Sequence, residues 1–189
     1  KHHKGAVMLT GEVGTGKTTV SRAFMDRTAN QHFEVRTIVN PALDPVDFIR
    51  SIVEKFEGKS TDANAKSVLL SHLNERLLHN VEIGVNSVLV VDEAHVIENR
   101  AIFEEIRMLL NMQSEDRFLL TLVIMGQPPL VDKIAAIQPL KERISIRYHL
   151  DPFDLHNTVR YLLYRIKAAG ATRGIFTRDA VELLYEYSG

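Results

Sequence analysis

The stretch GEVGTGKT, Gly11 to Thr18, limits what this chain can fold into more than any other. Three glycines in eight residues let the backbone curl so that successive N–H groups point at phosphate oxygens, and a helix starting at the lysine adds its positive end. The stretch satisfies GxxxxGK[ST] in full, and its surroundings fit: the apolar run AVMLT (Ala6 to Thr10) precedes it, and a helical pattern from Lys17 to Ala29 follows. With glycine near 7% of residues, chance would produce the pattern in under about 1% of chains this long. Glu12, Val13, Gly14, Thr15, Gly16, Lys17, Thr18 and Thr19 are therefore the expected cradle for the phosphates of ATP. Lys17 is expected to reach the β and γ phosphates, and the Thr18 hydroxyl to be a ligand of Mg²⁺.

A strand, a phosphate loop and a helix need a sheet around them. FEVRTIVN (Phe33 to Asn40) is rich in β-branched residues and stops at Pro41. SVLVVD (Ser87 to Asp92) and FLLTLVIM (Phe118 to Met125) are continuous apolar runs of the kind buried on both faces of a sheet, and ISIRYHL (Ile144 to Leu150) supplies a fifth strand. Helical patterns separate them. Asp44 and Pro45 open one that closes at Gly58; a second covers Ala63 to Asn80; a third carries Ile102, Ile106 and Leu109; a short helix leads to Arg143. The fold class is thus α/β, with a five-stranded parallel sheet sandwiched by helices over residues 1–150. After Pro152 the pattern is purely helical: Leu155, Val159, Leu162 and Ile166 lie on one helix closed by Gly170, and Thr177 caps another. Residues 151–189 read as the start of a small helical domain.

The acidic pair Asp92 and Glu93 falls at the carboxyl end of a buried strand, the edge at which open α/β sheets bind ligands. There Asp92 would hold Mg²⁺ and Glu93 would orient or deprotonate the attacking water; the plain alternative is an acidic pair that starts a helix. His95 reads as a structural helix residue. Gln127, at the end of the neighbouring apolar strand, is placed to meet the γ-phosphate or the water, or else is a turn residue before two prolines. An arginine given across a subunit contact can stabilise transition-state charge. Arg143 is the first candidate and Arg147 the second, and a surface ion pair is the alternative for either.

Composition removes other classes. The 23 basic and 24 acidic residues leave a formal charge of -1 without a like-charge block, whereas strongly electrostatic nucleic-acid binders show a basic excess. The absence of cysteine excludes thiolate metal sites, cysteine nucleophiles and disulfides. No apolar run approaches the roughly 20 residues of a membrane helix. The chain begins without Met and close to its first motif, so it is expected to be part of a longer protein.

GEVGTGKTT, VVDEAH, IMGQPPLVDKI with the following RISIRYHLDPF, and YLLYRIKAAG occur in this order along essentially the whole chain. Together they resemble the ExeA/GspA family of AAA+ ATPases, the general secretion pathway protein A group. The resemblance implies a P-loop sheet of the ASCE type, in which one strand separates the Asp92 strand from the loop strand. It also implies Gln127 at the sensor-1 position, Arg143 as the arginine-finger match and a helical lid after Asp151. A lid arginine in a GxPR-like motif, usual in such proteins, has no match before YSG. It implies ATP and Mg²⁺ as cofactors, an ATP-dependent homo-oligomer, and protein partners in a secretion or export apparatus. The family's place is the cytoplasm, at the cytoplasmic face of the inner membrane.

Three other functions compete with a secretion ATPase. One is a DNA-binding ATP switch like the transposition proteins TniB, TnsC and MuB, which share this core. Another is an interaction module that binds ATP without turning it over. The third, a DEAH helicase, is suggested by the letters Asp92 to His95, but it needs a second recombinase-like domain and motifs such as QRxGRxGR that these 189 residues do not contain.

Overall fold

The computed structural model describes residues 5–28, 32–114 and 117–188, and these form two compact units, Lys1–Leu150 and Asp151–Gly189. The first unit begins with β1 (Ala6–Gly11), the glycine-rich loop and α1 (Lys17–Thr28). Ala29, the expected end of that helix, lies outside the described residues. Then come β2 (Phe33–Val39), α2 (Pro45–Glu57), α3 (Lys66–Glu82) and β3 (Asn86–Asp92). A single 3₁₀ turn, Ala94–Val96, leads to α4 (Arg100–Leu109). Two short strands, β4 (Gln113–Ser114) and β5 (Arg117–Phe118), pair antiparallel before β6 (Leu120–Gly126). The unit closes with α5 (Pro129–Ala135), α6 (Gln138–Arg143) and β7 (Ile144–Leu150).

The five long strands form one parallel sheet in the order β2-β3-β6-β1-β7. Parallel strands need crossover connections, which bring helices onto the sheet faces and bury the central strands on both sides. Accordingly Val88 to Val91 of β3 are buried throughout. Alternate residues serve different faces. Ala6, Met8, Leu89, Val91, Leu122 and Ile124 join the large core built with α2 to α6, whereas Leu9, Val90 and Met125 form a smaller cluster on the other side. On that second side Met25 of α1 meets Thr37 of β2 through its sulfur, 3.5 Å from the hydroxyl.

The helix ends follow the sequence signals. Asp44 accepts a hydrogen bond from Val46 N at 3.0 Å, Pro45 occupies the first helical turn, and Gly58 closes α2 in the left-handed region at φ 72°. Three expectations shift. Ala63 to Ala65 stay outside α3, because the Ala63 carbonyl accepts from Arg50 and its N–H donates to the Thr61 hydroxyl. Phe118 does not open β6; it pairs with Gln113 in the small hairpin, and the long strand starts at Leu120. The single short helix expected before Arg143 is two helices, interrupted at Ile137, where Pro139 enters the next first turn without an N–H to continue the ladder.

The second unit consists of α7 (Leu155–Ala168) and α8 (Arg178–Ser188). Asp154 caps α7 by accepting from Asn157 N at 2.7 Å. Leu155, Val159, Leu162 and Ile166 line an open apolar groove of about 300 Å³ with Phe176 and Val181. No helix among the described residues is long and apolar enough to cross a membrane.

Candidate functional site

Because every long strand runs the same way, β1, β3 and β6 deliver their next residues to one edge of the sheet. The loop after β1 begins there at Gly11, which pairs with Leu150 of β7. Gly14 and Gly16 adopt φ 82° and 94°, values that L side chains rarely tolerate, and so turn the backbone into the open curve that phosphate oxygens require. Thr15 tightens the curve by donating its hydroxyl to the Glu12 carbonyl at 2.9 Å. Lys17 is buried, and its ammonium donates to the carbonyls of Gly11 and Glu12, both at 2.8 Å. It is thus held across the mouth of the loop as a cation already stripped of most of its water. Val13 at the tip is exposed, and Thr18 and Thr19 open α1.

Asp92 ends β3, two strands from β1, with β6 between. Asp92 is 2% exposed and both its carboxylate oxygens are engaged: Oδ2 accepts from the Thr18 hydroxyl at 3.1 Å, and Oδ1 from Glu93 N at 2.9 Å. One hydroxyl and one buried carboxylate, joined across 74 positions of sequence, suit a small hard cation that takes its other oxygens from phosphate and water. Among the described residues no group of three or more His, Asp or Glu could hold an ion unaided. The residues present therefore fit Mg²⁺ brought with a nucleotide.

Among the described residues Glu93 is one of two non-glycine residues with positive φ, at φ 54° and ψ 32°, a conformation costing on the order of 1–3 kcal/mol. Its half-exposed carboxylate stands 3.2 Å from Nδ1 of His95, without hydrogen-bond alignment. His95 lies in the 3₁₀ turn, not in a longer helix. The other left-handed residue is Asn40, at φ 58°, one position past the Val39–Asp92 pair and so beside Glu93 on the sheet edge. Nothing in the sequence around Asn40 marked it except its place between a strand and a proline.

Gln127 follows Gly126, which pairs with Thr10 just before the loop. The half-buried amide thus lies on the same edge, on the strand between the loop and Asp92. Arg143 is elsewhere. It precedes Ile144, which pairs with Ala6 at the opposite edge, and its Nη1 donates to the Leu110 carbonyl at 3.4 Å. The length of β1, about 16 Å at 3.3 Å per residue, separates it from its own phosphate loop. Arg147 is exposed on β7 and donates to the Lys141 carbonyl at 2.8 Å. The structure therefore gathers Lys17, Thr18, Asp92, Glu93 and Gln127 and leaves both arginines outside.

Comparison with known proteins bears on the family and the fold. The model of the AAA domain family matches residues 1–134. General secretion pathway protein A of Aeromonas hydrophila is 36% identical over 189 residues, covering 98% of this chain and 34% of that protein, so the chain spans about a third of its relative's length. Among solved structures, Cdc6p of Pyrobaculum aerophilum superposes with a TM-score of 0.76 at 21% identity, over 98% of this chain and 48% of that one. RuvB of Thermotoga maritima gives 0.57 at 17% identity, over 88% and 45%. At such identities these neighbours speak to the fold alone, which is that of P-loop AAA+ proteins. The glycine loop, the buried Asp92, the strand order and the sequence kinship lead to one conclusion: the chain belongs to the AAA+ family of P-loop ATPases and is an ExeA/GspA-like member of it.

Proposed function

We propose that this chain binds ATP with Mg²⁺ and hydrolyses it to ADP and phosphate. The single observation that carries the reading is the Thr18–Asp92 hydrogen bond at the sheet edge, with Lys17 and Glu93 on either side of it. Loop N–H groups and the Lys17 ammonium hold the phosphates, while Thr18 and Asp92 hold the cation. When bound, the cation supplies charge that neutralises the phosphate oxygens. Glu93 orients a water and takes its proton as the water oxygen bonds to the γ-phosphorus. The bond from that phosphorus to the β–γ bridging oxygen breaks, and its electrons leave on ADP. Gln127 contacts the γ-phosphate or the water. Arg143 serves the site of a neighbouring copy, a reading supported by its position at the far edge.

The nucleotide state is then read out as association of copies and assembly of a secretion or export apparatus at the cytoplasmic face of the inner membrane. Support for that step is the kinship with general secretion pathway protein A.

Two variants test the chemistry. Lys17→Ala is expected to lower ATP affinity at least a hundredfold. Glu93→Gln is expected to keep affinity within about threefold and to lose turnover at least a hundredfold. Equal phosphate release from wild type and Glu93→Gln would remove the catalytic assignment and leave a binding module. ATP-dependent filaments on duplex DNA, with a steep salt dependence, would replace the secretion role by that of a DNA-bound regulator.

A further inference from the structure

The turn that carries Glu93 is poorly able to hold itself. Its internal hydrogen bonds are Val96 N to Glu93 O at 3.0 Å and Ile97 N to Ala94 O at 3.3 Å, 3₁₀ bonds of the weaker kind. It also starts from a residue in a disfavoured backbone region. The carbonyls of His95 and Ile97, past Glu93, are taken by one side chain from another element. Lys133 of α5 donates to His95 O at 2.6 Å, to Ile97 O at 2.9 Å and to Glu98 Oε1 at 3.2 Å. An ammonium has three N–H donors, so all of them are used, and charged donors make the stronger bonds. Nothing about holding the sheet together needs this arrangement, since α5 is already anchored in the core by Leu130 and Ile134.

We infer that Lys133 is a positioning residue for Glu93. A second contact defines the same seat. A Cβ on Gly126 would lie 3.0 Å from His95 N and 3.3 Å from its Cβ, so the turn rests directly on the last residue of β6. Gln127 follows that residue, and α5 begins two residues later. Lys133 thus ties the Glu93 turn to the segment headed by Gln127 and fixes the two side chains relative to each other. Misplacement of a catalytic group by about 1 Å can cost on the order of a hundredfold in rate, so a brace of this kind controls turnover without touching the nucleotide.

The inference rests on the ATPase reading, and its test separates the two. Lys133→Met keeps the stem and removes the donors. It is expected to lower kcat at least tenfold with the dissociation constant for ATP unchanged within twofold, and Lys133→Arg, which retains a cation and N–H donors, is expected to recover most of the loss. In the Glu93→Gln background Lys133→Met is expected to change the residual rate by less than twofold, because it acts through Glu93. In the nucleotide-free protein, amide exchange at Val96 and Ile97 is expected to rise at least tenfold. Wild-type kcat in Lys133→Met, an equal loss in the Glu93→Gln background, or unchanged exchange at both amides would each overturn it. Absent turnover in the wild type would sink the ATPase reading instead, and the exchange comparison would still decide whether Lys133 braces the turn.

Discussion

A methyl group on Gly11 would sit 2.7 Å from the Leu150 carbonyl oxygen and 2.7 Å from Oγ1 of Thr15. The first of these atoms is main chain at the end of β7, so relief requires the strand or the loop to move. Gly11→Ala is expected to cost about 1–3 kcal/mol, the range for overpacking. At roughly 2–4 °C per kcal/mol for a chain of this size, the melting temperature should fall by about 2–12 °C, and ATP affinity should fall with it; an unchanged melt would show that the loop yields freely. The curve of Gly14 and Gly16 and the grip of Lys17 on the Gly11 and Glu12 carbonyls were legible in the sequence because they are local, whereas the Thr18–Asp92 bond spans 74 positions. Asn40 and Lys133 were not legible. What distinguishes them is a left-handed backbone just past one strand and beside Glu93, and an ammonium reaching back 38 positions to the His95 carbonyl. Neither leaves a periodic or compositional trace.

Among elements, the strands were the most legible and the short pieces the least. Val88 to Val91 and Leu122 to Met125 announce burial by being apolar without interruption, and burial on both faces is what a central parallel strand imposes. Phe118 extends the second of these runs in sequence yet belongs to the β4–β5 hairpin, because hydrophobicity records that a side chain is covered and not which strand covers it. The tie between α3 and α4 is equally silent in sequence. Lys66 donates to Oε1 of the buried Glu105 at 2.6 Å, while Oε2 has no hydrogen-bond partner. Lys66→Met leaves that carboxylate unpaired and is expected to cost about 2 kcal/mol, reduced because Lys66 itself is partly solvated. Adding Glu105→Leu should restore most of it. Urea unfolding of the two variants checks the pair, and a double variant no more stable than the single one would assign the role of Glu105 to something other than Lys66.

At the scale of the molecule, the placement of Arg143 is testable by mixing. Arg143→Ala alone is expected to keep ATP affinity and to lose turnover at least thirtyfold at concentrations where copies associate, since arginines of this kind contribute on the order of 10³–10⁵ in related transfers. A mixture with Glu93→Gln, itself inactive, should regain turnover. One variant then brings an intact Glu93 site and the other an intact Arg143. Mixtures as inactive as their parts would place Arg143 outside the chemistry.

The parallel sheet also gives the molecule a direction: under the proposed use of Arg143 in a neighbouring copy, the edge with Lys17 and Asp92 would receive and the opposite edge would donate. A head-to-tail contact, in which the donor edge of one copy completes the receiver edge of the next, joins unlike surfaces and repeats from copy to copy, unlike a twofold pair, whose two copies serve each other. A head-to-tail pair completes one of its two sites, an open row always leaves its last receiver unserved, and closure into a ring serves all of them. Turnover per copy would then report the architecture of the assembly, climbing as rows lengthen and levelling when the ends meet.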